Sequence, residues 1–175
     1  MINVGFSKVQ IKRLESTFRK YPRYIPRIMR DSINKTAVTV RKESVKSISI
    51  LAGLIQKHVR KYTFIDKATI RHFAAKIRFS AYGFPYAWLK PKPSGGGLLS
   101  KKTGEYQHGG FLLKRGKSTV AMRRIGRARY PITMVRADKT IADYYDSIKD
   151  TTESRGGVIL EHHIDMQVKR FLEKI

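Results

Sequence analysis

The chain has no cysteine among its 175 residues, which excludes disulfides and thiolate metal sites and fits a reducing compartment. No apolar run approaches the roughly 18 residues that a membrane-crossing helix needs. The opening stretch MINVGFSKVQIKRLES lacks an apolar core of signal-peptide length, so neither a span nor a secretory leader is expected, and no membrane partner. Acids are scarce, 13 Asp and Glu against 37 Lys and Arg, and no carboxylate pair stands in a context that suggests acid–base catalysis. Asp138, Asp143, Asp146 and Asp150 gather in one C-terminal region, where they read as helix N-terminal charges and partners of Lys139 and Lys149. His58, His72 and His108 show no metal-ligand spacing, and adjacent His162 and His163 point about 100° apart on a helix. The GxxxxGK[ST], GxSxG and HExxH patterns are absent. Gly116-Lys117-Ser118 comes nearest to the first, but Phe111 stands where its leading glycine belongs. No enzyme, cofactor or metal is expected.

What the chain has in excess is positive charge, a formal +24. Such an excess implies a polyanionic partner: nucleic acid, an anionic membrane, or acidic protein surfaces. The self-repulsion it creates favours an assembled state or bound counterions. Hydrophobic residues make up 41% of the chain, enough for a folded core, and the length suits a single domain over 1–175.

The longest helical pattern runs from Pro26 to about Ile50. Met29, Ile33, Ala37, Val40, Ser44 and Ile48 recur every three or four residues on one face. Arg30, Lys35, Arg41, Lys42 and Lys46 occupy the others and read as a solvated or subunit-facing surface. A helix before it is signalled by a capping box, Ser7 with Gln10, and by Val9, Ile11, Leu14 and Phe18; it ends before Pro22. Gly53 separates the long helix from a short one over Leu54–Val59. Strands are expected over 75–82 and 84–89, and the KYTFID stretch is β-like. Short strands over 111–114, 119–124 and 132–135, joined by tight turns, make an antiparallel meander. Helices follow over 140–149 and 158–175, with a break expected at Ser154-Arg155-Gly156-Gly157 and a helix continuing through it as the alternative. Helices, then strands, then helices indicate an α+β fold: the long helix and the C-terminal helix packed on a small antiparallel sheet. The partners available to the long helix are the meander's apolar face and the Ile159-to-Leu172 stripe.

Residues 90–110, KPKPSGGGLLSKKTGEYQHGG, read as a long mobile basic hairpin arm rich in Gly and Lys. The candidate polyanion or partner contacts are Lys90, Lys92, Lys101, Lys102, Lys114, Arg115 and Lys117, followed by Arg123, Arg124, Arg127 and Arg129. Their use is charge compensation of phosphates, without sequence readout, because no nucleic-acid-binding motif accompanies them. Aromatics interleave with the basic patches (Tyr21, Tyr24, Tyr62, Phe64, Tyr82, Tyr86, Trp88 and Tyr130) and read as core or subunit-contact residues, with stacking on nucleic acid as the alternative.

Several stretches together resemble the minor tail protein Z family of tailed bacteriophages, the lambda-type tail-completion or neck component. The first is Ser32-Ile33-Asn34-Lys35-Thr36-Ala37, continuing through Val40-Arg41-Lys42-Glu43, which is similar to an INR-A segment of that family's long helix. The second is Leu54-Ile55-Gln56-Lys57-His58-Val59-Arg60. The third and most specific is Gly110-Phe111 leading to Arg129-Tyr130-Pro131-Ile132, similar to the family's GAFI and RYPI region. The run Val158 to Lys169, with Leu160, His163 and Gln167, resembles its closing helix. The loop 90–109 matches only in being basic and Gly-rich. The resemblance implies a non-enzymatic virion protein at the head-proximal end of the tail, present in the host cytoplasm during assembly. It also implies self-association in a ring, a hexamer by tail symmetry, with other neck and tail proteins and genomic DNA as partners. The alternative from another class is a free-standing basic nucleic-acid-binding protein, for DNA packaging or RNA association.

Overall fold

The structure, a computed structural model, describes residues 1–17, 19, 22–116, 118–126 and 130–173. Its elements in order are β1 (Ile2–Gly5), α1 (Lys8–Thr17), α2 (Ile25–Leu51), α3 (Gln56–Lys61), β2 (Thr63–Asp66), β3 (Ala74–Phe79), β4 (Lys92–Ser94), β5 (Gly97–Leu99), β6 (Tyr106–His108), β7 (Gly110–Arg115), β8 (Ser118–Arg124), β9 (Ile132–Met134), α4 (Ile141–Asp146) and α5 (Lys149–Leu172). The fold is α+β. The strands form three antiparallel sheets of three, ordered β1-β3-β2, β4-β5-β6 and β7-β8-β9. The chain divides into two compact units: residues 1–45, 63–79 and 148–175, and residues 46–62 and 80–147.

In the first unit, the box predicted for α1 is present: Ser7 N–H donates to Gln10 Oε1 (2.9 Å) and Gln10 N–H to Ser7 Oγ (3.3 Å). Leu14 is the buried residue of that helix, whereas Val9 is exposed and Phe18 lies outside the described residues. Within residues 25–45, Ile28, Met29, Ile33, Ala37, Val40 and Val45 are buried, and so are the hydroxyls of Ser32, Thr36 and Ser44. Thr36 and Ser44 each donate to the carbonyl four residues back, so small polar residues are buried here without an orphaned donor. Arg41 corrects the expectation of a solvated face: it is half-buried and its Nη2 donates to the Thr63 carbonyl of β2 (2.8 Å). Asn34 works as a clamp. Its Oδ1 accepts from Ala68 N–H (2.8 Å) and its Nδ2 donates to Ala68 O (3.1 Å), fixing the turn after β2 onto α2.

The sheet of this unit includes a strand the periodicity did not reveal. β1 pairs with β3 from Ile2↔Ile77 to Gly5↔Ala74, and β2 takes the other side of β3. Ile2, Val4, Ala75 and Ile77 form the buried face; Asn3, Lys76 and Arg78 face out. The meander 110–135 belongs to the second unit. α5 runs unbroken through Gly156-Gly157 where a break was expected. Two glycines cost about 1 kcal/mol each in a helix interior, while burying Leu160 and Ile164 returns roughly 1.5–3 kcal/mol per side chain. α5 also lies along α2: Ser32 Oγ donates to His163 O (3.4 Å), and Thr39 Oγ1 is 3.3 Å from His163 Nε2.

In the second unit, α2 ends in a Schellman motif. Leu54 N–H donates to Ser49 O (3.0 Å) and Gly53 N–H to Ile50 O (3.2 Å), with Gly53 at φ +61°. Residues 84–89 are not a strand. After Pro85, Tyr86–Leu89 form a 3-10 turn that buries Tyr86 and Leu89 together, the i, i+3 spacing of three residues per turn.

Residues 90–110 are not a free arm either. They fold into the β4–β5–β6 sheet. Gly95 and Gly96, at φ +48° and +82°, make the tight β4–β5 turn. A side chain at Gly97 would sit 2.4 Å from Gln107 O and 2.7 Å from the Tyr106 hydroxyl, so that close strand approach needs glycine. Leu98 is fully buried. The buried Tyr86 hydroxyl is the hub: it accepts from Ser100 N–H (3.0 Å) and faces the carbonyls of Leu98 (3.3 Å) and Glu105.

Candidate functional site

The β4–β6 sheet decides where the predicted lysines go. The β4–β5 hairpin turns at Gly95-Gly96, so its open end carries Lys92 opposite Leu99, with Lys90 just before and Lys101 and Lys102 just after. Four residues spread over thirteen positions are thereby gathered at one end of a hairpin. All four are exposed. Lys90 holds a left-handed conformation at φ +51°, ending the 3-10 turn. Lys102 is used structurally, because its Nζ donates to Gly53 O (3.0 Å) at the C-terminal end of α2, where a cation suits the helix dipole. Lys90, Lys92 and Lys101 make no ion pair among the described residues.

The β7–β8 hairpin arranges its cations differently. Lys114 pairs with Thr119 and Arg123 with Gly110, which places Lys114 and Arg123 on one face. Arg115, opposite Ser118, shares the other face with Arg124, opposite Ile132. Thr119 and Arg123 are four residues apart, so the first pair is separated by roughly 13 Å along the strand. Ser118 and Arg124 are six apart, separating the second pair by roughly 20 Å. The hairpin is therefore not a basic strip; it carries cations at its two ends.

Between Arg115 and Arg124 lie Phe111, Leu113, Val120 and Met122, none of them fully buried, with Leu113 39% and Met134 44% exposed. Arg124 extends over the Phe111 ring, 5.9 Å from its centroid. This face is apolar in the middle and basic at the ends. The opposite face buries Ala121. Tyr21, Lys117, Arg127 and Arg129 lie outside the described residues.

The aromatics divide. Tyr86 is core. Trp88 stacks on His58 at 3.9 Å, meets Tyr62 edge-on at 5.8 Å, and has the Lys61 ammonium 5.9 Å away. Burial, reinforced by Lys61 and Lys57, lowers the His58 pKa, which keeps the ring neutral for that stacking. Tyr82 and Tyr130 are 60% and 66% exposed, and Tyr82 takes the Arg136 guanidinium over its ring at 4.0 Å. Those two tyrosines are placed for contact; Trp88 and Tyr86 are not.

One polar cluster has no trace in the sequence spacing. Glu105 Oε1 accepts from Asp138 N–H (2.6 Å) and from Gln107 Nε2 (3.2 Å), and the same Nε2 donates to Asp138 Oδ1 (3.0 Å). Burial raises the Glu105 pKa; the bond from Asp138 N–H works against that shift, while the Asp138 charge adds to it. With Lys102, Lys139 and Tyr144, these carboxylates line an open depression of about 410 Å³. Glu105 and Gln107 tie β6 to the segment before α4, so their present hydrogen bonds are structural. Among the described residues no three His, Asp or Glu side chains converge to hold a metal ion, and no helix is long and apolar enough to cross a membrane.

The stretches that carry the phage-tail resemblance have structural employment here. Ser32 and Asn34 secure α2, Leu54 completes its Schellman motif, Phe111 sits in β7 beneath Arg124, and Leu160 and Gln167 are buried. Compared with known protein families, curated proteins and solved structures, the chain matches none.

Proposed function

We propose that the protein is a structural, non-enzymatic component of a tailed-phage virion. It completes the tail at the head–tail junction by associating with copies of itself in a ring, a hexamer if it follows tail symmetry, and with neighbouring neck and tail proteins. The observation that carries the proposal is the face of the β7–β8 hairpin, where Arg115 and Arg124 flank an incompletely covered Phe111, Leu113, Val120 and Met122. An apolar centre with a charged rim is the anatomy of a protein contact; a phosphate track has little use for it. The open end of the β4–β5 hairpin has the opposite character. There Lys90, Lys92 and Lys101 are exposed and make no ion pair among the described residues, which suits non-specific contact with genomic DNA. In this reading the protein works in the virion, having assembled in the host cytoplasm.

The test combines association with salt-dependent DNA binding. Sedimentation and negative-stain microscopy should show concentration-dependent rings, which Leu113→Glu together with Met122→Glu abolishes. Neutralising Lys90, Lys92 and Lys101 to Ala should lower the slope of log affinity against log salt on duplex DNA by about 0.9 for each phosphate no longer neutralised, leaving assembly intact. Tight, steeply salt-dependent DNA binding by a protein that never assembles favours the free-standing nucleic-acid binder and counts against the tail reading.

A further inference from the structure

The first unit contains an open sheet edge. β1 is the outer strand of the β1-β3-β2 sheet, and its outer side takes no hydrogen bond from any described residue. Sheet edges are ordinarily blunted by charge, proline or a covering group. The opposite edge follows that rule: β2 ends in Asp66, and Arg41 occupies the Thr63 carbonyl. β1, with the sequence Ile-Asn-Val-Gly, has neither charge nor proline.

Beside this edge runs a groove of about 430 Å³, walled by Glu153, Gly156, Gly157 and Leu160 of α5. Among the described residues no lysine or arginine side chain lines it, on a chain whose net charge is +24. The glycines are not needed for packing within the chain. A Cβ on Gly157 would meet nothing within 4 Å, and one on Gly156 only a Val40 methyl at an ordinary 3.8 Å. Alanine would form a better helix at both positions. The next residue, Val158, is 70% exposed.

We infer that β1 pairs with β1 of a second copy, antiparallel about a two-fold axis near Asn3, and that the two α5 helices meet over Gly156-Gly157. Three observations select a second copy as the occupant. An antiparallel edge is complementary to itself, so one strand supplies both sides of the contact. Ile2 of one copy then stands opposite Val4 of the other, continuing the apolar face, and Asn3 faces its own counterpart on the solvent side. Finally, two copies of so basic a chain repel each other least where, as in this groove among the described residues, no lysine or arginine side chain lines the facing surface. The contact is isologous and joins copies in pairs. It is therefore distinct from the head-to-tail contact that closes a ring, and does not depend on the tail reading.

Asn3 is exposed, so Asn3→Lys and Asn3→Glu place like charges opposite each other across the two-fold axis without disturbing the buried face. Sedimentation equilibrium at moderate salt should show wild-type pairing. Each variant alone should weaken it at least tenfold, and an equimolar mixture of the two should restore it. Gly157→Leu should raise the melting temperature of the monomer while abolishing pairing. A wild-type protein that does not pair, Asn3 variants that associate as wild type does, or a mixture no tighter than either variant alone overturns the proposal. So does a Gly157→Leu protein that folds and pairs normally.

Discussion

Replacing Tyr86 by Phe removes one oxygen from the centre of the second unit and tests whether residues 90–110 are anchored by it. The residue is fully buried, and its hydroxyl accepts from Ser100 N–H while facing the carbonyls of Leu98 and Glu105. Burial raises the tyrosine's pKa, so the hydroxyl keeps its proton and serves as donor as well as acceptor. Phenylalanine retains the ring, so no cavity cost arises. Ser100 N–H also donates to Glu105 O (2.9 Å) and keeps that acceptor, so the loss lies in the hydroxyl's own bonds to this N–H and to the Leu98 and Glu105 carbonyls. With no buried donor orphaned, the cost is that of a net hydrogen bond, about 0.5–1.5 kcal/mol, and carbonyls tolerate the loss of a donor. The expected destabilisation is about 1 kcal/mol in urea unfolding. Because the hub joins β5 and β6 to the 3-10 turn, the effect should also be local. Amides in 97–108 should exchange roughly fivefold faster, which is about 1 kcal/mol at roughly 1.36 kcal/mol per tenfold, while those of α2 and α5 within the first unit keep their protection. A variant within about 0.5 kcal/mol of wild type, with unchanged exchange in 97–108, would refute the anchoring and return the segment to a mobile arm.

Gly53→Ala should destabilise by about 1–2 kcal/mol in the same urea assay, because the Schellman motif holds this residue at φ +61°. Its new methyl also meets Lys102 Cδ at 2.7 Å. Asn34→Ala should cost about 1–3 kcal/mol by orphaning the Ala68 groups, and Asn34→Asp, which keeps the acceptor for Ala68 N–H, should cost less. His163 should contribute an acid-side loss of stability. Burial first, then the charges of His162 and Lys35, lower its pKa below 6.5, so the unfolded chain binds the proton before the folded one. The contribution is complete above about pH 6.5 and is lost as pH falls through the lowered value. Subtracting the unfolding curves of His163→Gln from wild type across roughly pH 4–8 should isolate that slope; a flat difference would remove His163 as its source.

The long helix was legible because a 27-residue segment free of internal Gly and bearing apolar residues every three or four positions has few other ways to bury them. Its end was legible too, since Gly53 supplies the positive φ a Schellman motif requires. The candidate lysines could be named but not grouped. Lys90 and Lys101 become neighbours only through a turn at Gly95-Gly96, and the same kind of pairing separates Arg115 from Arg124 by the length of β8. Gly156-Gly157 misled in the other direction, because local helix propensity was outweighed by the burial of Leu160 and Ile164.

The sequence by itself determined the α+β class, the caps of α1 and α2 and the excess of cations. Those properties depend on composition and on spacings of a few residues, over which backbone geometry is nearly fixed. Tertiary structure decided the rest. It turned β1, whose alternation of Ile2 and Val4 with Asn3 and Gly5 is too short to stand out, into a sheet edge because β3 was there to pair with it. It converted a Gly- and Lys-rich stretch into a sheet because Tyr86, at least twelve residues away, supplied a buried hydroxyl for its backbone. Long-range pairing leaves no local signature, so its consequences became visible only when the chain had closed on itself.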